Sequence, residues 1–399
     1  MPKPFRKSLL LGLTLLLAAC AGAGGRDPVH EHLADRAVLP GFTGIRFWGD
    51  VLPEHIDADA TLRAAYRAAD SHGAVSGVRR LDFLAVSGGG EDGAYGAGVL
   101  NGWHARGTRP QFEIVTGVST GALIGALAFL GPSRDAQLRS AYTEVATDRI
   151  MRKRSVLAVL FGANSLADDK PLAQLIAQTV DERMLDEIAS EHRRGRRFFV
   201  GTTNLDAQRP VIWDMGAIAA SAHPERLHLF RSVLLASASI PGIFPPVRIK
   251  VVVDGHLHDE LHVDGGVTEN AFIFPALFME ASSRLGRHVP RSLYIINNGR
   301  LAPDWQETPN AFLPIVTRSI TTLAKSHSLK DLFRLYVLAK AHGVEYRLTA
   351  IPEEFRAVSR SAFDRDYMNR LYRLGHQIGS GDGAWQSEPP SLGLRSAAR

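Results

Sequence analysis

Ser119 stands within Gly117-Val118-Ser119-Thr120-Gly121, the spacing G-x-S-x-G. A nucleophilic serine is served by a tight strand-to-helix turn, which exposes its hydroxyl. The helix N-terminus behind it offers positive potential to a developing charge. Glycines on either side leave room where a Cβ would clash. The pentapeptide alone recurs by chance. Here "FEIVTGVSTGALIGALAFL" sets an apolar strand pattern before it and an apolar helix pattern after it.

A second stretch able to do chemistry is "SGGGEDGAYGAG", Ser87 to Gly98. Gly88, Gly90 and Gly93 form G-x-G-x-x-G, a pattern that can cradle a pyrophosphate. The N–H groups of Gly89 and Gly90, opening a helix, suit instead the oxyanion formed when Ser119 attacks a carbonyl. A dinucleotide site also wants an acidic residue about 20 positions on, at the far end of the next strand. Glu113 has that separation, but it starts its strand, and the far end carries Ser119. The glycines therefore read as oxyanion donors, and no cofactor is expected.

Two further stretches bear on the chemistry. "HVDGGVTEN", His262 to Asn270, holds Asp264, Gly265 and Gly266. Alone, Asp264-Gly265 is an ordinary turn pair, as is Asp254-Gly255. His256, His258, Glu260, His262 and Asp264 recur at every second position, so on one extended strand they share a face. Zinc accepts such ligands, but a solvated strand face is the expected reading, and no metal is assigned.

These residues need elements to hold them. Leu81 to Val86 is an apolar strand running into the glycine loop, and a helix pattern starts near Asp92 and runs toward Trp103. Strand–loop–helix twice over predicts an α/β sheet with helices on its faces. Residues 135–190 read as mainly helical. Strands are expected at "RRFFVGTTNL", "PVIWDM", "RIKVVVDGHLHDELHV" with a turn at Asp254-Gly255, "SLYIINNG" and "VEYRLTAI". Helices are expected over 311–343, from Tyr367 to Gly379 and from Asp59 to Ala69. The basic run His192 to Arg197 reads as a solvated loop. No linker divides 80–380.

The first twenty residues, "MPKPFRKSLLLGLTLLLAAC", carry a basic start, a short apolar run and small residues before Cys20. That is the pattern of an export signal. The ending Leu17 to Cys20 resembles the bacterial lipoprotein signal, which implies a lipidated Cys20 as the new N-terminus. Ala21 after it implies the outer membrane by the same resemblance. Two acyl chains anchor stably where one is marginal. Residues 21–30 read as a flexible tether, 20–79 as tether and N-terminal extension, and 381–399 as a tail. Cys20 is the only cysteine, so no intramolecular disulfide is possible.

Composition fits this picture. Of 399 residues, 45% are hydrophobic and 22% charged, enough for a large globular core. The net charge of +5 includes Lys3, Arg6 and Lys7 in the segment expected to be removed, which leaves +2. Nucleic-acid binding gains no support from that.

With these residues in place, the chain resembles the patatin-like phospholipases. "SGGGEDGAYGAGVL" looks like the family's oxyanion loop and "GVSTG" like its nucleophile elbow. "LLASASIPGIFPPV", Leu234 to Val247, and "HVDGGVTEN" look like two later blocks, in the family's order. "TTNLDAQRPVIW" is a weaker fifth match. The likeness covers roughly residues 80–300. It implies a three-layer patatin-like fold with a central, mostly parallel sheet flanked by helices, over 80–380. It implies Ser119 as nucleophile, Asp264 as its only partner, and Gly88, Gly89 and Gly90 around the oxyanion. The expected substrate is an acyl ester of a membrane lipid. The family usually has arginine or lysine where this chain has Asp92; an acidic side chain there either weakens the oxyanion site or caps the helix.

Three rival readings stand beside this one. A Ser–His–Asp hydrolase would use one of His288, His327, His342 or His376. A metal site would use the alternating histidine row. An inactive hydrolase fold would serve as an anchored docking surface.

Overall fold

In the computed structural model, the described residues are 25–51, 80–145, 147–153, 164–273 and 290–390. Cys20, the helix expected at Asp59 to Ala69 and His288 lie outside them. A central sheet runs in the order β1 (Arg46–Trp48), β7 (Arg209–Asp214), β6 (Arg197–Asn204), β3 (Ile114–Val118), β2 (Leu81–Val86), β10 (Arg291–Arg300) and β11 (Glu345–Ile351). The five strands from β6 to β11 are mutually parallel. Antiparallel strands are added at the β6 end: β7 with β1, and the hairpin of β8 (Val247–Val253) and β9 (His256–Asp264).

Parallel strands must be covered on both faces, so they read as continuous apolar runs. All six residues of β2 are buried. Leu84 and Val86 face one core, and Phe83 and Ala85 face the other. The first core is closed by α1 (Gly93–Ala105) and α2 (Thr120–Leu130). α3 (Asp135–Thr143), α4 (Lys170–Thr179), α5 (Glu182–Arg193), α6 (Met215–Ala220), α7 (Arg226–Ser237) and α9 (Arg365–Ser380) complete it. The second core is closed by Leu332, Leu335 and Ala339 of α8 (Phe312–Ala341). This is the expected three-layer α/β arrangement.

Several expectations need adjusting. Residues 311–343 carry one 30-residue helix rather than several. The 135–190 segment is interrupted by a small ladder of β4 (Arg152–Lys153) and β5 (Ala167–Asp168). The chain before residue 51 is no free tether where it is described. Arg26 pairs with Asp206 and Asp259, Leu39, Phe42 and Ile45 are buried in the core, and β1 adds to the sheet. At the other end, Trp385 stacks 4.6 Å from Trp103, so residues 381–390 belong to the body rather than to a tail.

The basic run is not a solvated loop. Arg196 is 2% exposed; it donates to Phe112 O and Glu191 and lies over the Phe129 ring. Desolvation of that kind is tolerable only where a charge is paired. The alternating row on β9 is extended as expected, but it runs from solvent into the core. Glu260 and His262 are buried. Glu260 pairs with Arg46 and with His262 Nε2, and His262 Nδ1 meets Thr202 Oγ1 at 2.9 Å. Those side chains are satisfied by protein. Among the described residues no group of three or more acids, histidines or cysteines is arranged to hold a metal ion.

Candidate active site

Ser119 is the residue between β3 and α2, with φ 55° and ψ −127°. A non-glycine side chain rarely adopts such angles, and strain of this kind collects at functional turns. The surroundings hold it there. The Ser119 N–H donates to Ser237 Oγ at 2.9 Å, and that hydroxyl donates to Gly201 O at 2.7 Å. The elbow is also tight: a Cβ on Gly117 would fall 2.3 Å from Gly121 O, and one on Gly121 would fall 2.2 Å from Val86 O.

Sheet register brings Asp264 to this serine. β3 ends where Val118 pairs with Gly201 of β6. The next position on β6, Thr202, pairs with Asp264. β7 already occupies the other edge of β6 at Thr202. β9 must therefore continue along the edge that β3 has just left, which sets Asp264 beside Ser119. A Cβ on Gly265 would fall 2.5 Å from Gly201 O, so the chain turns away against β6 without room for a side chain.

The Asp264 carboxyl lies near enough to the Ser119 side chain for the serine to favour its charged form, and it accepts from Gly266 N at 2.8 Å. Its own N–H donates to Ser239 O at 3.0 Å. Ser237 and Ser239, in the "ASASIP" segment, thus fix the serine and the aspartate respectively. Burial pushes the Asp264 pKa up to about 6, against the lowering effects of Ser119 and Gly266. Among the described residues no histidine hydrogen-bonds Ser119 or Asp264; His262, two residues away, is committed to Glu260 and Thr202.

The glycine loop lies against the same point. A Cβ on Gly88 would come 3.2 Å from Ser119 Cβ. Gly88 itself is no oxyanion donor, contrary to expectation: its N–H is spent on Asn270 O at 3.1 Å. Gly89 and Gly90 open the short 3-10 turn Gly90–Asp92, and among the described residues their N–H groups have no acceptor. Donors left open at a helical start are available to an anion. Gly90 has φ 57°, which a glycine adopts freely.

Asn298 braces this loop. Its side chain accepts from Gly96 N at 3.0 Å and donates to Ser87 O at 2.9 Å, while its N–H donates to Ser87 Oγ. A Cβ on Gly89 would fall 2.1 Å from Asn298 O, which requires glycine there. Asn270 is held in turn by Asp331 of α8, whose carboxylate accepts from Asn270 N and Ala271 N. Sequence reasoning missed Asn298, Ser237 and Asp331. For Asn298 a signal existed: it ends a parallel strand on the carboxyl side of the sheet, where sites of α/β folds gather.

Asp92 does not cap α1 with its side chain. It accepts from Tyr367 Oη of α9 at 2.5 Å, and burial pushes its pKa up to about 6.

Beyond Ser119 lies an apolar cavity of about 90 Å³. Ser119 and Gly90 are at its polar end. Leu123 and Leu127 of α2, Leu172 and Ile176 of α4, and Leu234 and Phe244 line the rest. The 135–190 segment therefore supplies a wall of this cavity. A strained serine hydroxyl, a carboxyl with raised pKa and open N–H donors at the mouth of an apolar chamber can perform acyl transfer.

Comparison with known proteins agrees. The family profile described as patatin-like phospholipase matches residues 84–277. A "cUMP-AMP-activated phospholipase" of Escherichia coli is 40% identical over 89 residues, 22% of this chain and 27% of that protein. The match thus spans about a quarter of that relative. Among solved structures, VipD from Legionella pneumophila aligns over 77% of this chain and 67% of its own, with TM-score 0.38 and 11% identity. Human GIVD cytosolic phospholipase A2 aligns over 80% of this chain and 55% of its own, with TM-score 0.36 and 10% identity. On its strand–elbow–helix core, the ordered motif blocks and the matching profile, residues 84–277 form a patatin-like phospholipase domain.

Proposed function

We propose that this protein is a serine acyl hydrolase of lipid esters, working with a Ser119–Asp264 dyad and anchored to the bacterial envelope through Cys20. The observation that carries the chemistry is the sheet register that sets the buried Asp264 carboxyl beside Ser119, the residue that lines the apolar cavity. Ser119 Oγ forms a bond to the ester carbonyl carbon while Asp264 takes its proton. The oxyanion is held by the Gly89 and Gly90 N–H groups. As the tetrahedral species collapses, the alcohol leaves with the proton from Asp264. Water then attacks the acyl-enzyme, again giving its proton to Asp264, and Asp264 returns that proton to Ser119 Oγ as the bond to the acyl group breaks and the fatty acid departs.

A carboxylate with an ordinary pKa is a weak base toward a serine hydroxyl. Desolvation brings the Asp264 value toward neutrality, and fixed geometry supplies the remainder. The cavity suits an acyl chain, so glycerophospholipids or lysophospholipids are the proposed substrates. The Escherichia coli relative named as a phospholipase supports the same class. Gly-loop donors of this kind are typically worth on the order of 3 kcal/mol each in the transition state.

The test is a panel of soluble esters and phospholipids offered to the wild type, Ser119→Ala and Asp264→Asn. Each substitution is expected to lower kcat at least about a thousandfold, with the fold retained by circular dichroism. Hydrolysis by Ser119→Ala at the wild-type rate sinks the mechanism.

A further inference from the structure

Next to the acyl cavity lies a second apolar recess, of about 270 Å³. The two share a wall: Ile240, Phe244 and Phe363 line both. Met151, Leu166, Ile243 and Ala362 complete the recess, which is open to the surface where Leu166 is 38% and Ile243 36% exposed. Its wall is built rather than loose. Leu166 N donates to Gly242 O at 3.0 Å and Ala167 N to Ile243 O at 2.9 Å. On the far side Phe363, at φ 58°, has its carbonyl held by Thr147 Oγ1.

We infer that this recess receives the second acyl chain of a two-chain glycerolipid while the first chain occupies the cavity behind Ser119. The ester-linked chains of such a lipid leave neighbouring carbons and diverge. A site that seats both needs two apolar chambers meeting near the nucleophile, and the shared Ile240–Phe244–Phe363 partition has that form. Among the described residues no charged side chain lines the recess, so a headgroup or peptide with charge would lose hydration there without a partner. A hydrocarbon chain loses nothing by entering and gains the transfer of its surface from water. The inference rests on the acyl-hydrolase reading and narrows it: two-chain lipids are preferred over single-chain ones.

The test compares wild type, Ile243→Asn, Leu166→Gln and Ile243→Leu, each as the full chain. Three substrates are used: a short-chain diacyl phosphatidylcholine kept below its micelle concentration, the lysophosphatidylcholine bearing the same chain, and a long-chain ester with one chain. Within each preparation the ratio of kcat/KM for two chains over one is read, which cancels any inactive fraction. That ratio is expected to fall about tenfold in Ile243→Asn and Leu166→Gln and to hold in Ile243→Leu. An unchanged ratio, or a parallel loss on the long single-chain ester, overturns the assignment; the latter would make the recess the far end of one chain's path. Failure of the wild type on all three substrates sinks the acyl-hydrolase reading itself, whereas activity with an unchanged ratio sinks only the recess.

Discussion

In the proposed dyad, Asp264 acts on stability and on catalysis with opposite signs. Its folded pKa of about 6 lies above the ordinary 3.8, because burial disfavours the charge. The folded chain therefore binds this proton more tightly than the unfolded chain. Its contribution to stability is least favourable above pH 6 and improves as pH falls through the window from about 6 to 3.8. Activity runs the other way, since a base must be ionised. The expected profile of kcat/KM has an acid limb with its midpoint near pH 6. Asp92 has a similar value, raised by burial beside Tyr367, so the limb needs assigning. Asp92→Asn is expected to leave its midpoint in place. A limb that vanishes in Asp92→Asn shows that Asp92, not Asp264, is the group being titrated. At this scale the strand-to-helix turn at Ser119 was legible from its flanking pattern, and Asp264 was singled out by resemblance. Ser237 and Asn298 were not, because each acts on a partner 118 or 211 residues away. A serine in a helix and an asparagine ending a strand look ordinary until the sheet places them.

Elements carry the next level of constraint. α1 begins at the turn Gly90–Asp92, so its position sets where the Gly89 and Gly90 N–H groups, the proposed oxyanion donors, point. α9 lies directly on it, backbone against backbone. A Cβ on Gly98 would fall 2.2 Å from Tyr372 O, and one on Gly102 would fall 2.1 Å from His376 O. From the other side, Gly375 and Gly379 would meet Tyr95 O and Val99 O at 2.2 Å each. Two glycine pairs at i, i+4 spacing thus form one seam. Both helices were legible from periodicity: Tyr367 to Gly379 was expected and Arg365–Ser380 is found. Their pairing was not, since Asn101 and Tyr372 bond across 271 residues. Gly375→Leu should force the helices apart. The expected cost is at least about 1–3 kcal/mol by urea unfolding, with kcat reduced in the fraction that stays folded because the oxyanion donors shift with α1. Wild-type stability and kcat in Gly375→Leu would show that the seam is not needed.

At the scale of the molecule, the question is how the body meets its substrate. The sequence suggested a free tether from residue 21 to 30, because glycine and alanine there offer nothing to bury. The structure instead clamps Arg26 between Asp206 and Asp259, and Pro28 bridges Asp259 of β9. Long-range ion pairs of this sort leave no periodic trace in a sequence. Their consequence for the proposed anchor is geometric. From Cys20 to Arg26 the chain spans at most about 21 Å when fully extended. From Asp259 to Asp264 along β9 is about 17 Å. With the side-chain step from Arg26 across to Asp259 added, lipid on Cys20 would therefore hold the dyad within roughly 50 Å of the bilayer. No helix among the described residues is long and apolar enough to cross a membrane. In this proposal the attachment is the lipid on Cys20. Cys20→Ser is expected to move the protein from the membrane to the soluble fraction. It should also cut hydrolysis of vesicle lipid by an order of magnitude or more while sparing a soluble ester, since only the vesicle reaction depends on tethering. Membrane recovery and vesicle activity unchanged in Cys20→Ser would remove the anchor from the proposal and leave the dyad chemistry standing on its own test.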